Sequence, residues 1–278
     1  MNVLAFSLAV CGTAVLAGLL GALTGLGGGV VIVPVLCLFF KIDLHYAIGA
    51  SLVSVIATSS GAASAYVREG YSNIRIGMFL EVATTLGALL GAYLTASVSS
   101  RWIGVIFGVV LLYTAWASLS RITEAPTIGI SDSLAIRLNL RGSYPTPDGN
   151  EEYVAQHVPA GFGIMFLAGT LSGLLGIGSG VVKVLAMDQL MKLPFKVSTT
   201  TSNFMIGVTA AASAGFYLSR GYILPGLSMP VMLGVLVGSL AGSRLLVVAH
   251  VRTLRFVFGA VVVALGAEMI FSGLTGRL

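Results

Sequence analysis

One lysine stands out in this chain for its surroundings. Lys183 lies in "GIGSGVVKVLAM", an apolar stretch directly after a glycine cluster. The end of that stretch, near Met191, is about 12 Å away on the helix rise, a long reach for snorkelling. A cation at such depth in a membrane usually faces a cavity or a partner. Contact with a substrate anion, a coupling role, a structural salt bridge and snorkelling are the chemistries open to it. The glycines raise a second question. Gly25 to Gly29 and Gly176 to Gly180 are too dense for a continuous helix, since each glycine costs about 1 kcal/mol relative to alanine in a helix interior. A helix that restarts at Val30 or Val181 offers free N–H groups and the positive end of its dipole. Backbone at Gly27, Gly28 and Gly29, and at Gly178, Ser179 and Gly180, is therefore a candidate anion cradle, with close helix packing as the alternative. Hydroxyls and an amide crowd a third stretch, "STTTSNFMIG" at residues 198–207. Thr201, Ser202 and Asn203, with Ser51 further upstream, either cap a helix or donate to an oxyanion. Glu81, Asp188 and Arg244 lie in or near apolar runs and are candidates for ion coupling, since a carboxylate in a membrane can carry a proton; for Asp188 and Arg244 a place near an interface is the alternative.

The elements that hold these residues follow from composition. Of 278 residues, 56% are hydrophobic and only 9% charged, and the mean hydropathy is +0.99. A soluble domain carries about 25% charged residues. Apolar runs recur at residues 3–23, 46–67, 76–98, 103–119, 231–249 and 256–271, each about long enough to cross a hydrocarbon core of roughly 30 Å. The fold class is an all-α polytopic membrane protein. Helices are expected near 2–24, 29–40, 45–67, 74–97 and 102–121, then near 159–175, 180–191, 195–218, 224–249 and 253–274. The first lacks a basic leader and is read as an uncleaved span.

The chain also repeats itself. Shifted by 151 residues, Gly18–Ser120 aligns with Gly169–Phe271 without a gap, and "GLGGGVVIV" falls on "GIGSGVVKV". Roughly a quarter of the pairs are identical. Lys183 falls on Ile32, so the halves differ where the charge sits. Two five-helix repeats, residues 1–121 and 159–278, are expected, each with a short Gly-broken helix at its centre. Five crossings per half would invert one repeat against the other, a plan used by secondary transporters. If the short helices re-enter instead of crossing, the repeats are parallel. In the inverted arrangement, Arg68, Arg75, Arg121, Arg137, Arg141, Lys192, Lys196, Arg252 and Arg255 share one face. Lys41, Arg101, Arg220 and Arg277 share the other. The first face is then cytoplasmic and both termini lie outside. Gly87, Gly91, Gly238 and Gly242 have the spacing of close helix packing.

Residues 122–158 are polar and form the expected linker, placed on the cytoplasmic side. Within it "LAIRLNLRGS" alternates at period two and "PTPDGN" is turn chemistry, so a small β-hairpin is expected. No strand precedes either glycine cluster, which argues against a nucleotide loop. The three histidines are scattered, and neither a nucleophile–base pair nor paired carboxylates are visible, so an enzyme is not expected. Cys11 and Cys37 suggest no disulfide or metal site, and no cofactor is expected. The basic residues lie singly at helix ends, not as a nucleic-acid face. The partners expected are a small anion, lipid, and protons or sodium as coupling ions; the apolar surfaces leave oligomerisation open.

"GLLGALTGLGGGVVIVPVL" followed by "AIGASLVSVIATSSGAASAYVREGYSNIRIG" resembles the TauE/SafE sulfite exporter family, also called the toluene sulfonate uptake permease family. The second half, "GLLGIGSGVVKVLAM" with "VSTTTSNFMIGVTAAASAGFYLSRGYI", resembles it too. The resemblance implies a bacterial or archaeal cytoplasmic-membrane permease for sulfite, sulfonates, sulfoacetate or thiosulfate, with either direction of transport. The family's G-x-G-G-G motif and following proline match Gly25 to Gly29 and Pro34, whereas the second half carries Ser179 and Leu185. The function expected is secondary transport of such an anion by alternating access. A passive anion channel and a membrane scaffold are the alternatives.

Overall fold

The structure is a computed structural model that describes residues 3–24, 28–68, 72–119, 132–146, 149–248 and 251–277. Within these, side chains are not described at 3, 22–24, 61–68, 118–119, 146, 243–248 and 251–257. The chain is a helical bundle. Its first part contains α1 (Val3–Thr24), α2 (Gly29–Leu38), α3 (Leu44–Arg68), α4 (Ile74–Leu94) and α5 (Ser100–Leu119). A short α6 (Ser133–Arg137) and a hairpin of β1 (Arg141–Thr146) and β2 (Gly149–Val154) follow. The second part contains α7 (Val158–Leu175), α8 (Gly180–Leu185), α9 (Phe195–Ser219), α10 (Pro225–Val248) and α11 (Val251–Thr275). A π-helical turn at Ala186–Leu190 continues α8. Among the described residues, α1, α4, α5, α7, α10 and α11 are long and apolar enough to cross a membrane. The protein is multi-pass.

The long helices pair α1 with α10, α4 with α7, and α5 with α11. Helix α3 packs on α9; α3 also touches α2 and α10, while α9 also touches α8 and α4. Small residues set two of these contacts. On α7, a Cβ at Gly169 or Gly173 would run into the carbonyls of Thr84 or Ala88. On α4, a Cβ at Gly87 or Gly91 would meet those of Phe166 or Thr170. Gly238 of α10 sits likewise against Val15 of α1. Backbones this close gain dispersion contacts that lipid-facing side chains cannot supply.

The linker contains a packed element. Asp132 caps α6, with Oδ1 accepting from the Leu134 N–H at 3.1 Å, and its Oδ2 accepts from the Val158 N–H of α7 at 3.0 Å. The strands pair antiparallel from Arg141↔Val154 to Thr146↔Gly149, so the turn falls in "PTPDGN" as expected. The expected strand character of "LAIRLNLRGS" is corrected: residues 133–137 are helical and pairing begins only at Arg141. The period-two apolar face is the reason. Leu134, Ile136 and Leu138 are exposed, and Ala135 and Leu140 are buried instead. Tyr153 and Leu140 pack with Ile76, Met187 and Met191, and Asn73 Nδ2 donates to the Tyr153 hydroxyl at 2.9 Å. Burial pushes the Tyr153 phenol above its ordinary pKa, with the Asn73 hydrogen bond opposing.

Replacing Gly173 with leucine should force α7 away from Ala88 on α4, costing at least the 1–3 kcal/mol typical of overpacking. The check is thermal unfolding in detergent: Gly173→Leu should melt well below wild type. Gly163→Leu, on the same helix but with open space around its Cβ position, should not.

Candidate functional site

The glycine breaks create the site. Helix α7 stops at Leu175, and Gly176 (φ 69°), Gly178 (φ 71°) and Ser179 (φ 45°) take left-handed conformations before α8 starts. Such φ values suit glycine and strain a side chain, which makes Ser179 the unusual member. Helix α2 starts at Gly29, and the Gly176 carbonyl lies 3.2 Å from where a Gly29 Cβ would be. The two breaks therefore touch. Gly27 lies outside the described residues.

A broken helix inside a membrane must satisfy its freed carbonyls without bulk water. Ser51 Oγ does so for the Gly176 carbonyl, donating at 2.8 Å, and Ser202 Oγ adds a bond at 3.3 Å to the carbonyl of Gly180, the first residue of α8. Tyr217, buried on α9, donates to the Gly173 carbonyl at 3.1 Å and pairs with Thr95 at 3.0 Å. Side chains close in around the break. Ile48 Cγ2 stands 2.6 Å from a Gly176 Cβ position, and Ile206 Cγ2 stands 2.8 Å from that of Gly178.

One turn into α8 lies Lys183, fully buried. Its Nζ donates to Thr209 Oγ1 on α9 at 2.6 Å, and Thr209 donates to Glu81 Oε1 on α4 at 2.7 Å. Thr85 also donates to Oε1, at 3.1 Å. Glu81 is 4% exposed and Thr209 0%, so a cation, a hydroxyl and a carboxylate form a chain across three helices away from water. Charge-assisted bonds of this kind are worth about 1.5–3 kcal/mol each. Bonding capacity is left over. An ammonium has three donors, and Thr209 is the hydrogen-bond partner of Nζ among the described residues. Glu81 Oε2, Ser179 Oγ and Ser172 Oγ are buried with no hydrogen-bond partner among those residues.

The remaining sequence candidates fall at several places. Thr201 Oγ1 accepts from the Asn73 backbone N–H at 3.0 Å, joining α9 to the loop before α4. Asn203 is half-buried on α9. Asp188 is buried in the π-helical turn after α8. Arg244 belongs to α10, and its side chain lies outside the described residues. Glu81 meets Lys183 through Thr209, a residue that sequence reasoning missed. A signal for it existed. Ser202 and Thr209 are seven residues apart, on one helix face, and Ser51 and Thr58 repeat that spacing 151 residues earlier.

Apolar helices long enough to cross a membrane, with contacting glycines beside a buried charge pair, define a polytopic membrane protein, and its relatives are of the transporter class. The chain belongs to the sulfite exporter TauE/SafE family, whose model matches residues 10–269. It is 27% identical over 266 residues to "Probable membrane transporter protein YunE" of Bacillus subtilis, covering 93% of this chain and 95% of that one. It is 24% identical over 229 residues to YdhB of the same species, likewise named a probable membrane transporter protein, covering 82% and 86% of the two chains. A third protein so named, MJ0441 of Methanocaldococcus jannaschii, is 22% identical over 268 residues, 91% of each chain. No solved structure matches.

Thr209→Val keeps the shape of the side chain but removes the hydroxyl between Lys183 and Glu81. It should destabilise the folded protein by about 2–5 kcal/mol, the range for stranding partners of a buried pair. Thr209→Ser should recover most of that. Chemical unfolding in detergent, followed by tryptophan fluorescence, makes the comparison.

Proposed function

We propose that the protein is a secondary transporter of small sulfur-containing anions, of the sulfite, sulfonate, sulfoacetate or thiosulfate type, working by alternating access. The observation that carries this reading is Lys183: a fully buried cation, one turn from a glycine break, with one hydrogen-bond partner among the described residues. An oxyanion takes several donors at once. Spare N–H groups of Lys183, the Ser179 hydroxyl, the backbone of Gly178 and Gly180, and the first N–H groups of α2 after Gly27–Gly29 are the donors assigned to it. Ser51 and Ser202 hold the carbonyls of the break in the present state. With Thr201 and Asn203, they would line the wall of the anion site. Asp188 and Arg244 are kept as further coupling candidates. The family description names sulfite, and this supports the substrate class.

In this reading residues 1–121 and 159–278 are inverted repeats joined by a cytoplasmic linker at 122–158. The protein sits in the cytoplasmic membrane with both termini outside. The pairing pattern supports two-fold related repeats: exchanging α1–α5 with α7–α11 maps the α1–α10 contact onto α7–α4, and leaves α3–α9 and α5–α11 unchanged. The tight side-chain packing at Gly176, Gly178 and Gly180 favours a transporter whose halves must move over an open channel.

The experiment is a flux panel in proteoliposomes with sulfite, thiosulfate, sulfoacetate and taurine. At least one should accumulate against its gradient, and Lys183→Ala should lower that uptake by at least tenfold in protein that still elutes as a folded species. Unchanged uptake in the variant would remove Lys183 from the site. Flux that only equilibrates would remove ion coupling and favour the channel reading.

A further inference from the structure

The buried chain at the centre carries one positive and one negative group, and this has a consequence for what can bind. We infer that Glu81 is a proton-binding site whose protonation frees Lys183 for the anion, so that one proton travels with each monovalent anion. The inference rests on the reading of the chain as an anion transporter and specifies its coupling.

Charge balance limits what this site can hold. With Glu81 ionised, the positive charge of Lys183 is matched through Thr209, and an incoming anion meets a site that is already neutral. An added negative charge within the same dry enclosure would face the Glu81 carboxylate with no cation left to offset it. A proton on Glu81 removes that repulsion. The atom that would take it is Oε2, which is buried and has no hydrogen-bond partner among the described residues, while Oε1 already accepts from Thr209 and Thr85. The balance is simple: carboxylate plus proton gives a carboxylic acid, no other bond changes, and the ammonium then pairs with the anion. The loaded site holds the same net charge as the empty one.

The surrounding elements contribute few competing groups. Helix α7, packed on α4, has no titratable side chain. Helix α9 contributes Lys196 near its start, and Tyr217, whose hydroxyl is engaged with Thr95 and Gly173. Helix α8 contributes Lys183 alone, and the π-helical turn after it Asp188. On α4 itself, Arg75 lies in the first turn, with Nη1 donating to the Asn139 carbonyl, and Tyr93 lies at the other end against Phe216. The positions related to Lys183, Thr209 and Glu81 by the 151-residue offset are Ile32, Thr58 and Met232, which keep the hydroxyl and lack both charges. The charged relay therefore exists once, not twice.

Proton and anion affinities linked in this way must rise and fall together. The test uses methanesulfonate, whose acid is too strong to carry a proton itself at neutral pH. Wild-type proteoliposomes with a pH dye inside and the membrane potential clamped at zero are given an inward methanesulfonate gradient. The lumen should acidify as the anion enters, with about one proton per anion. Glu81→Gln, reconstituted at equal density, should lose the acidification. Methanesulfonate uptake without acidification by wild type, or acidification that survives in Glu81→Gln, overturns the inference and leaves the anion-transport reading standing. Failure of every sulfur anion to move overturns both.

Discussion

A lysine ammonium removed from water needs a counter-charge and hydrogen-bond acceptors, and that requirement organises the centre of this protein. Lys183 on α8 meets it through Thr209 on α9 and Glu81 on α4. Leaving either ion alone would cost several kcal/mol, because an unpaired buried charge keeps its desolvation penalty and loses its attraction. The chain thus ties an element of the first part of the sequence to two of the second. Thr209 is its adjustable link. Its single hydrogen has two close acceptors, Glu81 Oε1 at 2.7 Å and the Met205 carbonyl at 2.8 Å. Donation to one excludes the other, so the relay can open by rotation of one hydroxyl.

The glycine breaks make room for that arrangement. Left-handed turns at Gly176, Gly178 and Ser179 end α7 and set where α8 starts, and with it where Lys183 lies. The break frees backbone groups that lipid cannot satisfy; Ser51 and Tyr217 take up the carbonyls of Gly176 and Gly173, and Ser202 fastens the start of α8 to α9. The same breaks let Ile48 and Ile206 pack into the space that a side chain would otherwise fill. Polar satisfaction and apolar packing meet at the same few residues, which therefore have few alternative arrangements.

Much of this could be read from residue types. Apolar runs gave nearly every helix, and the dense glycines marked both short helices, α2 from Gly29 and α8 from Gly180. The offset of 151 residues exposed Lys183 against Ile32. What could not be read was partnership. Helical periodicity places Thr209 on the face of Ser202, but nothing local says that this face meets Glu81, 128 residues away. Hydroxyls were ambiguous for a related reason. Ser51 and Ser202 are candidates to hold an anion, yet their hydrogens go to the carbonyls of Gly176 and Gly180. In the linker, alternation at Leu134, Ile136 and Leu138 suggested a strand, but with those side chains exposed the Asp132 cap decides for a helical turn.

Lys183 and Glu81 form one energetic unit held through Thr209. A double-mutant cycle measures it directly: unfolding free energies in detergent for wild type, Lys183→Met, Glu81→Gln and the double variant. Each single change strands a buried group, so both should destabilise, and the double variant should lose clearly less than the sum of the two single losses. A coupling energy of more than about 1 kcal/mol is the predicted result. Losses that add within about 0.3–0.5 kcal/mol would contradict it.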